Sequence, residues 1–395
     1  MYWHIFKRLI DYIHIHKSVL QMQNFFLLFT ISILSVLYTG SIAATGSTSV
    51  SDTVIVEHND DDSAPAATDI TLPSFTQVKE LAYTVQRKDT HTAVIEALKS
   101  AKKTIDIAAH IIDDAEIIKA LNSAKDRGVE IRLFIQKSGV LKGKNSAAEN
   151  FTIQDIAYQT TKINTSFLLD LGDKNFKYSV QKMAYILIDG QLVAILTRLP
   201  RHKDQQYFTQ GLFLNNADLV KSLKIVFDYH ALGSAEEPAA LKDHTHLYNK
   251  SQLIIFGGDK GRDQLKEWCR LSTKSITIQT EKLDDLNFVD FLLQMRQMGR
   301  DIKIITSEFS EDQSIENLFL EKGIEIKVLK NISGTVILLD HEEDLAHMLL
   351  MNAALSGHDF KYARSLGWAH KQQQAVKNSY LIFDTLWTNA KNPDF

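Results

Sequence analysis

The chain has 395 residues, 45% of them apolar and 23% charged, which is the balance of a folded globular protein with room for two ordinary domains. A formal net charge of −4 gives no global attraction to nucleic acid or to anionic lipid. The single cysteine, Cys269, excludes an intrachain disulfide and any cysteine-rich metal site, and its setting in DQLKEWCRL predicts a buried structural thiol.

The first 23 residues carry Lys7, Arg8 and Lys17 against Asp11, and residues 25–40 form an uncharged apolar run that ends in Ser41-Ile42-Ala43-Ala44. That run is short for a spanning helix and suits a signal-peptide core. Residues 1–44 are therefore expected to be a signal peptide or a membrane anchor, both readings standing, with the basic flank placing the N-terminus in the cytoplasm and the rest outside it. Residues 45–74 are rich in Ser, Thr, Ala and Asp and read as a disordered tether.

A folded domain is expected over residues 75–233, with its first clear helix at 92–98. Residues 103–132 (KTIDIAAHIIDDAEIIKALNSAKDRGVEIR) recur without a gap at 274–303 (KSITIQTEKLDDLNFVDFLLQMRQMGRDIK). Ile105 falls on Ile276, an offset of 276 − 105 = 171 residues, and Asp113, Asp114 and Gly128 fall on Asp284, Asp285 and Gly299. Each copy predicts a strand of alternating apolar residues, an Asp-Asp helix start, a helix, a stop glycine and a second strand. Two similar domains follow, each built on one β-α-β unit. Residues 136–175 are polar, weakly patterned and read as an insertion with no counterpart in the second copy. Residues 183–198 place alternating apolar residues around Asp189-Gly190, the signature of a hairpin. Residues 210–232 predict a strand, a capped turn and an amphipathic helix. Residues 234–250 read as a linker, and residues 251–395 as the second domain. Its predicted elements are a helix at 262–271, the repeated unit, strands at 324–329 and 335–340, and a closing helix at 375–386.

This arrangement resembles the phospholipase D superfamily over residues 76–392. The matching stretches are VIEALKSAKKTIDIAAHIIDD, IIKALNSAKDRGVEIRLF, KMAYILIDGQLVAILT and QGLFLNNADLVKSLKIVFDYHAL, with Phe383 and Trp387 near the end. The resemblance implies an α/β fold: two similar α/β/α sandwich domains with mixed sheets related by pseudo-twofold symmetry. It also implies a site where the halves meet. In that family one histidine attacks phosphorus, the other protonates the leaving group, and lysines hold the phosphate oxygens. The family carries these groups in two H-x-K-x4-D motifs, each followed by a G-S-x-N segment.

Both motifs are degenerate here. With Asp189 setting the register, the histidine place holds Lys182 and the lysine place Ala184, while Leu196, Thr197 and Leu199 stand in the G-S-x-N segment. With Asp340 setting the register in the second half, Ser333 and Thr335 stand in those places, and the Gly-Ser equivalent is assigned to His347 and Met348. Alanine and threonine cannot hold a phosphate by charge. Asp189 itself reads first as a turn residue before Gly190. His110 and Glu281, equivalent at the ends of the repeated strands, are the candidates for a rebuilt acid–base pair. His341 and His347 read as surface histidines, Lys182 as a solvated lysine, and residues 198–203 (RLPRHK) as a basic loop that is either solvated or in contact with phosphate.

The expected protein is thus an exported or membrane-anchored phospholipase D-like protein, catalytically degenerate, serving as a binding or assembly module. An active phosphodiesterase using replacement residues and a nucleic-acid-binding member are the alternatives. The net charge speaks against the second of these. No cofactor or metal is expected. The expected partners are a membrane, through residues 25–40, and a phospholipid or other phosphate-containing ligand. Lys182 and Ser333 should lie within about 15 Å of each other, since shared chemistry needs hydrogen-bond reach.

Overall fold

The computed structural model describes residues 76–78, 81–84, 87–110, 112, 114–136, 168–169, 180–201, 207–231, 253–256, 259–308 and 314–393. All belong to one compact unit, Pro65–Phe395. The signal or anchor segment, the tether and the linker at 234–250 lie outside the described residues. Among the described residues, no helix is long and apolar enough to cross a membrane.

In the first half, β1 (Thr76–Val78) and β2 (Leu81–Thr84) precede α1 (Arg87–Ser100). The repeated unit follows as β3 (Thr104–Ala109), α2 (Ala115–Asp126) and β4 (Glu130–Gln136). Then come β5 (Leu168–Leu169), β6 (Val180–Gln181), the hairpin β7 (Tyr185–Ile188) and β8 (Leu192–Leu196), β9 (Gly211–Asn215) and α3 (Ala217–Ala231). The second half opens with β10 (Leu253–Phe256) and α4 (Asp259–Cys269). Its repeated unit is β11 (Ser275–Lys282), α5 (Leu286–Gln297) and β12 (Asp301–Glu308). After it stand α6 (Ser314–Glu321), β13 (Glu325–Val328), β14 (Thr335–Leu339) and β15 (His347–Met351). The chain closes with α7 (Gly357–Tyr362), β16 (Ala363–Arg364), β17 (Leu366–His370) and α8 (Gln373–Asn389).

The two copies of the repeat keep the offset of 171 residues at both ends of their helices, Ala115 on Leu286 and Asp126 on Gln297. The cause is local. Asp114 caps α2 by accepting from the N–H groups of Glu116 and Ile117, and Asp285 caps α5 by accepting from Phe288. Gly128 and Gly299 end the helices in the same left-handed conformation, φ 85° in each.

One sheet has the order β1-β2-β9-β8-β7-β3-β4-β5 and the other β10-β17-β15-β14-β11-β12-β13. In each sheet the repeated strands pair in parallel (β3 with β4, β11 with β12), and the hairpin strand runs antiparallel beside them (β7 on β3, β14 on β11). Reading the two orders together, β5 takes the place of β13. Part of the segment read as an insertion therefore has a counterpart after all, hidden in the sequence because the strand is only two residues long. The rest of residues 137–167 and 170–179 lies outside the described residues.

Alternation along the strands divides the side chains between layers. Tyr185 and Leu187 of β7, with Val336 and Leu338 of β14, enter a core shared with α3 and α8. Ile186 and Ile188 face α1 and α2, and Ile337 and Leu339 face α4, α5 and α6. The halves are therefore two sheets that flank a common core containing α3 and α8, each covered on its other face by helices of its own half. Two further contacts tie them: β6 pairs in parallel with β16, and the N–H groups of Lys182 and Met183 both donate to the Arg364 carbonyl. Cys269 is fully buried, as expected, and burial pushes its thiol pKa up, so it stays an unreactive thiol.

Candidate functional site

The two motif aspartates sit away from the cavity, in the turns that follow β7 and β14, with φ 52° at Asp189 and 50° at Asp340. The Asp189 carboxylate accepts from the backbone N–H groups of Lys102, Lys103 and Thr104 at 2.7–2.9 Å. Asp340 repeats the pattern on Thr273, Lys274 and Ser275 at 2.7–2.8 Å, adding the hydroxyls of Ser272 and Thr273. Desolvation works to raise both pKa values, and the backbone N–H groups more than offset it, so both carboxylates titrate below the ordinary aspartate range. Asp189 is thus a turn residue, and more: it fixes the entry of β3 as Asp340 fixes that of β11.

The opposite ends of β7 and β14 open on a cavity of about 170 Å³, lined by residues of both halves. Lys182, Ala184, Thr197 and Ser333 line it, and so do His110 and Glu281. The expected proximity of Lys182 and Ser333 takes the form of one shared cavity. Thr335 lies fully buried, its hydroxyl donating to the Ala353 carbonyl at 2.6 Å and bonded to the Thr280 hydroxyl at 2.8 Å. The halves touch where the hydroxyls of Thr197 and Ser333 meet at 3.0 Å. They come so close beside it that a Cβ on Gly334 (φ +60°) would stand 2.9 Å from the Thr197 Cβ and 3.1 Å from the Thr197 carbonyl oxygen.

Lys182 is not a solvated lysine. Its ammonium lies 2.8 Å from Asp359, which is 3% exposed, and 3.7 Å from Glu281, which is 35% exposed. Burial pulls its pKa down, but the charges of Glu281 and Asp359, with the Asp359 hydrogen bond, outweigh burial and leave it above the ordinary lysine value. The Asp359 carboxylate is itself held by the Ala354 N–H at 2.8 Å.

The second-half equivalent of the Gly-Ser segment is corrected by the strand register. Tyr185 faces Ile195 across the first hairpin and Val336 faces Leu350 across the second. Leu196 and Thr197 therefore correspond to Met351 and Asn352, not to His347 and Met348. The β14–β15 turn is longer than the Asp189–Gly190 turn, and counting along the chain without that loop misplaces the segment. Asn352 lines the cavity and is 3% exposed. Its Oδ1 accepts from the Leu366 N–H at 2.8 Å, and its Nδ2 has no hydrogen-bond partner among the described residues. Pairing strands backward from a longer turn would have found it.

His341 and His347 are not surface histidines either. His341 stacks on Tyr380 with ring centroids 3.6 Å apart, and His347 is buried edge-on against Trp268. Desolvation lowers the pKa of both, so they stay neutral at pH 7. Of the basic stretch, Arg198 and Arg201 line the cavity, with the Arg198 guanidinium 4.6 Å over the Tyr207 ring. His202 and Lys203 lie outside the described residues.

The arrangement presents cations, hydroxyls and an amide nitrogen to one small space, suited to a group rich in acceptor oxygens. Among the described residues, no three side chains gather as a metal site would.

Residues 94–195, from α1 through β8, match the protein family described as cardiolipin synthase, PLD-like domain. No curated protein sequence matches the chain. Among solved structures, the fold is similar to the phosphatidylserine synthase of Haemophilus influenzae Rd KW20, with a TM-score of 0.61, 13% identity, 82% of this chain covered and 89% of that one. It is also similar to the polyphosphate kinase of Porphyromonas gingivalis, with a TM-score of 0.56, 14% identity and 80% of this chain covered. The chain spans about half the length of that kinase, 52%. At these identities the likeness is one of fold.

Proposed function

We propose, from the premise that this chain is a phospholipase D-like protein, that it is a catalytically degenerate member which holds a phosphate-containing ligand in the cavity between its halves without cleaving it. The observation that carries this reading is the filling of the four motif positions by Lys182, Ala184, Ser333 and Thr335. A phosphohistidine route needs an imidazole to attack and another to protonate. Lys182 is held as an ammonium by two carboxylates and offers no lone pair at neutral pH. Ser333 directs its hydroxyl proton to the Phe208 carbonyl at 2.8 Å, an acceptor that cannot carry a proton away. The binding half of the reading rests on Lys182, Arg198, Arg201 and the Asn352 Nδ2, all of which line the cavity. The names of the similar phosphatidylserine synthase and polyphosphate kinase suit a ligand of this kind.

One observation favours the alternative of residual phosphodiesterase activity: His110, the one histidine of the cavity lining among the described residues, shares that lining with Glu281. Turnover of phosphatidylglycerol and of bis(p-nitrophenyl) phosphate by wild type, Lys182→Ala and His110→Ala decides between them. We expect rates at background for all three. Loss of one acid–base group alone costs about 10²–10⁴ in rate, and here the nucleophile, its partner and both cations are replaced together. Robust wild-type turnover that His110→Ala or Lys182→Ala abolishes would establish the alternative.

The same reading places the module outside the cytoplasm, cut from or held by residues 25–40, on the strength of the basic flank and the apolar run. Alkaline phosphatase fused after Ala67 should be active. An inactive fusion beside an active cytoplasmic reporter at the same point would reject export.

A further inference from the structure

We propose that Glu281 receives a cationic group of the ligand, so that the cavity takes a zwitterion: a phosphate with a primary ammonium a short link away, as in an aminoethyl phosphate. The proposal deepens the reading of the cavity as a phosphate site and rests on it.

Two carboxylates meet the one Lys182 ammonium, and they meet it unequally. Asp359 forms a close ion pair by itself. It lies 2.8 Å from Nζ, is 3% exposed, and takes the Ala354 N–H on the same oxygen. Glu281 stands 3.7 Å from Nζ, beyond hydrogen-bond length, with its side chain 35% exposed on the cavity lining. One ammonium against two carboxylates leaves this end of the cavity with a charge of 1 − 2 = −1. The excess sits on Glu281, and a fixed strand presents it, since the Glu281 N–H donates to the Gly334 carbonyl at 2.8 Å.

The opposite charge stands on the same lining. Arg198 and Arg201 line the cavity, and Asn352, 3% exposed, brings an amide nitrogen that has no hydrogen-bond partner among the described residues. Donors for an oxyanion and a carboxylate for a cation thus share about 170 Å³. A ligand that carries only negative charge leaves Glu281 without a close partner and is repelled by it, the more so the more charge it carries. A ligand with its own ammonium sets that group on Glu281 and its phosphate oxygens on the donors, so both are met by charged hydrogen bonds. Specificity of this kind combines attraction of the right ligand with repulsion of the wrong one. The small volume keeps the link between the two groups to a few atoms, such as the two carbons of ethanolamine. A free aminoalkyl phosphate and the headgroup of an aminophospholipid share this chemistry.

The test titrates the full chain by calorimetry at pH 7.5 with two matched pairs of probes. Phosphoethanolamine and ethyl phosphate stand for a free ligand. Glycerophosphoethanolamine and glycerophosphoglycerol stand for a lipid headgroup. Within each pair the phosphate is alike and the ammonium is the difference. Wild type should bind the amine about tenfold tighter in at least one pair, the scale of one charged hydrogen bond, and the pair that shows the preference identifies the source. Glu281→Gln, which keeps the shape and removes the charge, should bring that preference to within about twofold. Glu281→Asp, which keeps the charge on a shorter side chain, should retain part of it. Comparison within a pair removes any general gain in anion affinity that comes from taking a carboxylate away from Lys182. Equal affinities within both pairs, a preference for the probe without the amine, or an amine preference that Glu281→Gln leaves unchanged overturns the proposal and leaves the phosphate site standing. No binding of any probe to wild type and Glu281→Gln alike overturns the phosphate site and the proposal together.

Discussion

The carboxylate of Asp340 gathers three backbone N–H groups and two hydroxyls at the start of β11, and Asp189 gathers three N–H groups at the start of β3. This accounts for a pattern that chemistry alone does not: Asp189 and Asp340 match the motif that the sequence resembles, while Lys182, Ala184, Ser333 and Thr335 depart from it. The two aspartates are structural anchors, and the fold needs them whether or not the site works. Asp340→Asn turns an amide NH₂ toward N–H donors, and should cost about 2 kcal/mol or more, the scale of leaving a buried donor unsatisfied. The pH dependence follows from the depressed pKa. Stability due to Asp340 is present above the unfolded aspartate value of about 3.9 and is lost as pH falls through the lower folded value. Urea unfolding from pH 6 down to pH 2 should therefore show the wild type converging on Asp340→Asn in acid. Curves that run parallel over the whole range would show that the anchor carries no charge-dependent stability. At this scale the sequence made the turn aspartates legible, through Asp189-Gly190. It hid what they hold, because the partners of Asp340 lie 65 or more residues away.

Among the elements, the repeated unit was readable to the residue because its signals are local: capping aspartates, alternating strands, stop glycines. The offset of 171 residues extends beyond the repeat to the residues that brace it. His91 lies on α1 and Arg262 at the same offset on α4, and each binds the capping aspartate of the following helix, His91 to Asp114 at 2.8 Å and Arg262 to Asp285 at 3.0 Å. Asp285→Ala should therefore cost more than a bare cap, which is worth about 1 kcal/mol. It also takes a carboxylate partner from the Arg262 guanidinium, whose side chain is 16% exposed. We expect about 2 kcal/mol or more by denaturant unfolding, and a smaller loss for Arg262→Met, which removes the charge with its partner's cap intact. A loss no larger than about 1 kcal/mol for Asp285→Ala would mean that the arginine contributes nothing. The region beyond residue 340 was far less legible, with β15, β16, β17 and α7 all unread. The reason is physical. β15 and β17 are buried along their whole length, so apolar and small residues follow one another without the alternation that marks a half-exposed strand.

At the scale of the whole molecule, the two halves share one core, a parallel strand pair and the hydroxyl contact of Thr197 with Ser333. The cavity lined by Lys182 and Ser333 lies at this joint. Lys182 comes from the first half, Asp359 from the second, and nothing in the local sequence of either announces the pairing. Removing Lys182 leaves the Asp359 carboxylate buried without its cation, which for an inaccessible charge costs about 3–5 kcal/mol; the partial exposure of Lys182 brings the expected loss for Lys182→Ala to about 2–3 kcal/mol. Asp359→Ala leaves an ammonium that can turn to water, but it also loses the acceptor of the Ala354 N–H, so its cost should be of similar size. The double variant removes both charges and should cost less than the two losses added together, by a coupling of about 1–3 kcal/mol. The sign of the pH effect is opposite to that of Asp340. A lysine with a raised pKa contributes fully below its unfolded value of about 10.4 and loses that contribution as pH rises through the folded value. Wild type should therefore weaken relative to Lys182→Ala in strong alkali. Unfolding free energies of the four proteins at pH 7.5 complete the cycle. Strict additivity would mean that the pair does not join the halves, and that Lys182 is held in place by its backbone alone.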